Sequence, residues 1–251
     1  MAETILVTGA SAGFGQAICR RLVADGHRVI GAARRIEKLQ ALHEELGEAF
    51  YPLQMDVTDL TQVDHALASL PKAWEQIDVL VNNAGLALGL APAQKAEIAD
   101  WLTMIQTNII GLTYLTRQIL PQMVERNDGY VINMGSTAGT VPYPGANVYG
   151  ASKAFVKQFS LNLRADLAGK QIRVTNIEPG LCEGTEFSSV RFKGDEKRVE
   201  ALYRDAHAIQ PEDIANTVSW LIQQPKHVNV NRIEIMPVSQ SFGPQPVYRG
   251  D

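Results

Sequence analysis

The chain is poor in cysteine: Cys19 and Cys182 are its only two among 251 residues, too few for a disulfide framework. It also lacks an excess of positive charge. With a net charge of −4 it presents no general basic field to nucleic acid or to an anionic membrane. Any anionic ligand must therefore be held by local groups. No apolar run approaches the ~20 residues of a membrane span. The opening MAETILVTGA has no basic region followed by a long apolar stretch, as a secretion signal would. These absences give the expectation of a soluble, cytoplasmic protein with no nucleic-acid partner, no membrane partner and no metal site. Hydrophobic residues make up 45% and charged residues 20%, which is ordinary globular usage at a length that suits one α/β domain.

Short β-branched runs alternate with longer helical patterns from the start of the chain. Strands are expected at 4–8, 28–32, 49–54, 78–82, 130–134, 173–177 and 232–236. Helices are expected between them at 13–25, 36–46, 59–70, 100–125, 148–168 and 211–223. Gly26, Gly47 and Gly169 stand where helix ends need them, and Pro121 is expected to kink or restart the last turn of its helix. The stretch from Gly180 to Lys197 has no clean period and is expected to be a long loop or lid. Strand–helix alternation requires right-handed crossovers and hence a parallel sheet covered on both faces. The expectation is one doubly wound, Rossmann-type α/β domain spanning residues 1–251, with seven parallel strands and a substrate loop at about 180–200.

Gly9, Gly13 and Gly15 lie directly between the first strand and the first helix. Glycines there let the backbone approach a pyrophosphate, while the helix N-terminus offers free N–H groups and partial positive charge. The end of the second strand is more informative. A site for NAD places an Asp or Glu there to bind the ribose 2′-hydroxyl. This chain reads Gly31-Ala-Ala-Arg34-Arg35, with no acid before Glu37. Two guanidiniums suit a 2′-phosphate, so NADP(H) is preferred over NAD; the bland alternative is a pair of solvated arginines at a helix start. Asp56 and Val57 follow the third strand and would face the adenine. Asn83, Ala84 and Gly85 follow the fourth, at the strand ends where open sheets bind ligands.

Tyr149 and Lys153 stand four apart at the start of a helix, and so share a face one turn apart. A free phenol is a poor base at neutral pH, and a neighbouring ammonium favours its ionised form. Ser136 ends the fifth strand, where its hydroxyl could donate to a substrate oxygen as charge develops. Tyr-x-x-x-Lys alone is a common accident. The glycine turn, the Asn-Asn-Ala-Gly segment and Ser136 in chain order remove most of that ambiguity.

With these motifs the chain resembles the short-chain dehydrogenase/reductase family over nearly its whole length: TGASAGFG, NNAG, Asn108, Ser136, YGASK and Glu178-Pro179-Gly180 are all present. Its NNAGLALG, YGASKAFVKQFSLNLR, EPG…GTEFS…VRFKGD and MPVSQS stretches look most like NADP-dependent 3-hydroxy acid dehydrogenases, with sulfoacetaldehyde reductases as near relatives. The resemblance implies Tyr149 as acid/base and Ser136 as the group that polarises the carbonyl. It implies that Lys153 holds the nicotinamide ribose and lowers the Tyr149 pKa, and that Asn108 supports a water-linked proton relay. It further implies cofactor contacts from Ser11 and Phe14, and from Pro179, Gly180, Leu181, Thr185 and Phe187. Cys182-Glu183-Gly184 departs from the small or apolar residues expected inside that loop.

The implied activity is hydride transfer between NADP(H) and a short 3-hydroxy acid or its 3-oxo acid or semialdehyde. A sulfonate substrate remains an alternative, and a non-catalytic NADP(H) sensor a remote one. An acidic protein needs a local cation for an acidic substrate, and Arg191 is the choice, with Gln240 adding a neutral donor, from this or a neighbouring subunit, and Tyr143 and Asn147 lining the other side. A homotetramer is implied by the resemblance, using the 100–125 and 148–168 helices for one interface and the C-terminal strand and tail for another. Ala154, Phe155, Val156, Phe159, Leu161 and Leu163 spread over more helix faces than one sheet contact needs.

Overall fold

Side chains alternate across a strand, so an apolar run must be covered on both faces. Strand β1, Thr4–Thr8, shows the result: every residue is buried, with Ile5 and Val7 facing one layer and Leu6 the other. The computed structural model describes residues 2–243. It contains one seven-stranded sheet in the order β3-β2-β1-β4-β5-β6-β7, with every neighbouring pair parallel. The other strands are β2 Arg28–Ala33, β3 Phe50–Gln54, β4 Val79–Asn82, β5 Gly129–Met134, β6 Ile172–Pro179 and β7 Arg232–Ile235. The doubly wound parallel sheet expected from the pattern is therefore present.

Two helical layers cover the sheet. Helices α1 (Gly13–Ala24), α2 (Ile36–Leu46) and α9 (Pro211–Gln223) send Ile18, Leu22, Leu39, Leu42, Ile214 and Val218 onto one face. Helices α3 (Leu60–Ala68), α5 (Leu112–Arg126) and α6 (Asn147–Asp166) send Val63, Leu115, Ile119 and Leu163 onto the other. Strand order reverses between β1 and β4, and the carboxyl ends of the strands open there into a crevice, the usual ligand position in such sheets. No helix among the described residues is long and apolar enough to cross a membrane.

Three local expectations are corrected. The helical region expected at 100–125 is α4 (Ile98–Ile105), a π-helical turn (Gln106–Gly111) and α5, because the wide turn admits one extra residue without breaking the helical run. Pro121 does not break α5. It is exposed, and the Arg117 carbonyl whose helical donor it removes is on an exposed residue too. The 180–197 stretch is not wholly irregular: it holds α7 (Phe187–Arg191) and runs into α8 (Glu196–Tyr203), whose Asp195 accepts a capping bond from the Arg198 N–H.

Candidate active site

The crevice is a cleft of about 610 Å³, roofed by the 180–204 lid. Its floor begins at the glycine turn. Gly9 and Gly13 hold φ of +69° and +51°, in the left-handed region that favours glycine. Gly15 does not line the cleft; a Cβ there would overlap the Gly9 carbonyl oxygen, so its part is to let α1 pack under the turn. Ala12 precedes α1 and provides no side-chain cap, which leaves first-turn N–H groups for an anion. Ser11 and Phe14 line the same end. Thr8 ties the turn to the next strand end: its hydroxyl accepts from the N–H groups of Asn83 (3.0 Å) and Ala84 (2.9 Å). Asn83 donates its side-chain amide to the Thr8 carbonyl at 2.8 Å, so that side chain braces the turn, and Asn83, Ala84 and Gly85 all line the cleft there.

At the end of β2, Arg34 is exposed and lines the cleft. Arg35 donates to the Ser11 hydroxyl (3.0 and 3.2 Å) and makes a two-pronged contact with the Glu186 carboxylate (2.8 and 3.1 Å). Lys38 reaches the same carboxylate at 2.9 Å. With both cations beside it, Glu186 is held down at about 2. Neither Lys38 nor Glu186 was expected from sequence. Lys38 could have been found three residues past Arg35 on the same helix face; Glu186, 151 residues away from Arg35, left no local signal. Asp56 and Val57 line the cleft next to this corner, and the Asp56 carboxylate accepts from the N–H (2.9 Å) and hydroxyl (2.8 Å) of Thr58.

The opposite wall is α6 and the end of β5. Tyr149, Ser136 and Lys153 all line the cleft. Ser136 accepts from the Ala138 N–H at 3.1 Å, which fixes its hydroxyl at the sheet edge. Burial pushes the Tyr149 phenol up to about 12, against the opposing pull of the Ser136 hydroxyl and, more weakly, the Arg191 guanidinium. Lys153 is buried and donates to the Met134 carbonyl at 2.8 Å; desolvation alone lowers it to about 8. The expected lowering of the phenol by this ammonium is not seen. Lys153 lies 5.9 Å from the Tyr149 ring centroid and spends its hydrogen bond on the strand.

Asn108 sits in the π-helical turn, 1% exposed. Its amide is committed to both backbone groups of Leu86 (3.0 and 2.9 Å) and to the Ser152 hydroxyl (3.0 Å). It does not line the cleft, but its oxygen and the Lys153 ammonium come within 3.2 and 3.3 Å of a Cβ placed on Gly85, so the two groups flank one glycine.

The lid completes the site. Pro179, Gly180 and Leu181 leave β6 along the cleft, and Gln240 accepts from the Leu181 N–H at 2.7 Å. Gln240 thus reaches the site from this same chain. Cys182 lines the cleft, its thiol raised to about 12 by burial, while Glu183 accepts from Gln210 at 2.6 Å and Gly184 turns at φ +70°. That departure from the expected loop composition is a turn anchored on the start of α9. Thr185 rests against Gly13, and the Phe187 ring lies 5.7 Å from that of Tyr149. Arg191 donates to the Tyr143 hydroxyl at 2.9 Å, and its guanidinium lies 5.5 Å from the Tyr149 ring centroid. Its backbone carbonyl accepts from the Gly89 N–H at 2.9 Å, closing the lid on the far rim.

One expected substrate residue is corrected. Asn147 does not line the cleft: its side chain accepts from the Trp101 indole (3.1 Å) and donates to the Ala91 carbonyl (3.1 Å), which pins the rim loop to the start of α6. It lies two residues before Tyr149 in the chain, but its side chain is aimed at the neighbouring element.

A family model described as short chain dehydrogenase matches residues 3–196. A probable NADP-dependent dehydrogenase of Haemophilus influenzae is 60% identical over 95% of this chain and 95% of its own. An NADP-dependent 3-hydroxy acid dehydrogenase of Salmonella typhi is 59% identical over 98% of this chain and 99% of its own. The solved closed form of a serine dehydrogenase complexed with NADP+ matches with a TM-score of 0.97 and 57% identity, over 98% of this chain and 100% of that one.

Proposed function

The chain belongs to the short chain dehydrogenase family, and from that premise we propose that it interconverts a short 3-hydroxy acid and its 3-oxo acid or semialdehyde with NADP(H). The observation that carries the reading is the meeting of Tyr149, Ser136 and Arg191 in one cleft: a proton donor, a hydroxyl and a cation. The residues also fit the cofactor. The glycine turn and uncapped α1 N-terminus suit a pyrophosphate, and Arg34, Arg35 and Ser11 suit a 2′-phosphate where an NAD site would carry an acid. Pro179, Gly180, Leu181, Thr185 and Phe187 would cover the nicotinamide end.

When bound, the cofactor supplies or accepts the hydride. The Tyr149 hydroxyl, protonated at neutral pH, delivers its proton to the carbonyl oxygen during reduction and recovers it in the reverse direction. Ser136 donates a hydrogen bond to that oxygen as negative charge builds. Lys153 holds the cofactor ribose and hands on the replacement proton, and Asn108, flanking Gly85 with it, supports that relay. Arg191 takes the substrate's acid group, with Tyr143 beside it and the Gln240 amide as a further donor in the same cleft. The burial of Tyr149 and Lys153 keeps bulk water from competing for these protons.

A cytoplasmic homotetramer completes the proposal. Supporting the first interface, Ile98 and Leu102 on α4 and Phe155 and Leu161 on α6 are exposed, whereas Val156 and Leu163 turn into the core. The residues of the C-terminal tail beyond 243 lie outside the described residues.

The deciding experiment is kinetic. Arg191→Ala should cut kcat/KM about tenfold, or about 1.4 kcal/mol, for an acid-bearing aldehyde and leave a matched uncharged aldehyde nearly unchanged. An equal fall for both assigns Arg191 to lid closure instead. Malonate semialdehyde and sulfoacetaldehyde as the two acids would separate a carboxylate from a sulfonate enzyme.

A further inference from the structure

Two lid residues sit on the corner that the proposed cofactor's phosphates would use. Thr185 presses on Gly13 in the glycine turn: a Cβ on that glycine would lie 3.0 Å from the threonine side chain. The next residue, Glu186, places its carboxylate between Arg35 and Lys38 at 2.8 and 2.9 Å. Arg35 is at the same time bonded to Ser11, the hydroxyl of the glycine turn. One carboxylate, two cations and a hydroxyl make the arrangement that a phosphate monoester would make there, with the lid supplying the anion.

We propose that Lys38 and Glu186 complete the cofactor-selecting corner: Lys38 as a further cation for a ribose 2′-phosphate, and Glu186 as a resident anion that the phosphate displaces. The inference rests on the NADP(H) reading above and deepens it. All three side chains are close to half exposed, so the ion pairs are weak and exchangeable. A phosphate monoester brings about −1.5 to −2 charges and three acceptor oxygens against one charge and two oxygens, and so wins the cations. Glu186 stays ionised at any working pH, since both cations hold it far below the usual carboxylate range. Its release frees the start of the lid from the adenosine end, while Arg191 and Lys193 keep the far end closed through Gly89 and Asp100. A cofactor without the 2′-phosphate leaves the carboxylate in place.

The test uses 2′,5′-ADP and 5′-AMP, which lack nicotinamide and cannot react. Calorimetry on the full chain should give tighter binding of 2′,5′-ADP than of 5′-AMP. Glu186→Gln should tighten 2′,5′-ADP about threefold or more, the worth of an exposed ion pair, and leave 5′-AMP within about twofold. Lys38→Gln should weaken 2′,5′-ADP about fivefold and spare 5′-AMP. Hydrogen exchange at residues 184–190 should quicken in Glu186→Gln without nucleotide, and in the unsubstituted protein on adding 2′,5′-ADP but not 5′-AMP. Unchanged or weaker 2′,5′-ADP binding by Glu186→Gln overturns the proposal, because the carboxylate would then be positioning Arg35 rather than competing with phosphate. Unchanged exchange in that variant overturns it as well. If the unsubstituted protein does not distinguish the two nucleotides, the NADP(H) reading itself fails, and the nucleotide-free exchange comparison still judges the Glu186 latch.

Discussion

The two walls of the cleft are built by opposite means. On the α6 wall, Tyr149 and Lys153 are buried and Lys153 is tied to a strand carbonyl, so their positions come from the sheet itself. On the lid wall, Glu186 is close to half exposed, Arg191 is only partly buried, and both reach across the cleft to partners far away in sequence. Buried groups tied to backbone have one arrangement available, whereas surface ion pairs trade partners at small cost. The proposed reaction asks the first wall to hold reacting atoms steady and the second to admit and release ligands.

The strongest way to break this comparison is Tyr149→Phe. It should lower turnover by about 10²–10⁴-fold while nucleotide binding stays within error, because only a proton donor leaves the fixed wall. Residual turnover above about a tenth would take that role away from Tyr149. Next in size is the pair Arg34→Ala and Arg35→Ala. Charge-assisted contacts are worth ~1.5–3 kcal/mol each when well formed, and discounting for exposure still leaves more than about tenfold in KM for NADPH. NADH should be little affected, and equal weakening would refute the 2′-phosphate assignment.

The smallest effect expected is on pH. Burial lowers Lys153 to about 8, so its ammonium is present below that pH and lost as pH rises through it. Reduction should fall several-fold between pH about 7 and 9, with one proton involved. Tyr149, pushed up to about 12, adds no step in that range. On the lid wall Glu186, held near 2 by its two cations, adds no step between pH 5 and 9 either. KM for the acid group should accordingly be flat while kcat bends, and a KM that tracks kcat would show the two walls to be coupled.

The fixed wall was also the legible one. Strand β5 and helix α6 each begin within one residue of the expected starts at 130 and 148, because local pattern and burial agree there. Ser136, Tyr149 and Lys153 could be grouped because a strand end and a helix start follow one another in the chain. The lid was harder to read. Helices of five and eight residues carry too little period to stand out, and the Glu186 contacts join positions about 150 apart. The Asn147 side chain is aimed at Trp101 and Ala91, partners 46 and 56 residues away that no local pattern announces.

The wide turn at Gln106–Gly111 places helix regularity and site geometry in opposition. A chain selected only for toughness would drop one residue there and regain a uniform α-helix, with better-aligned backbone bonds. That change would rotate Asn108 away from Leu86 and Ser152 and leave both groups of Leu86 to find other partners. Under the role proposed for Asn108, the irregular turn marks a position where thermal hardening and activity are traded against each other. A stabilised descendant of this chain would be the more useful for keeping it.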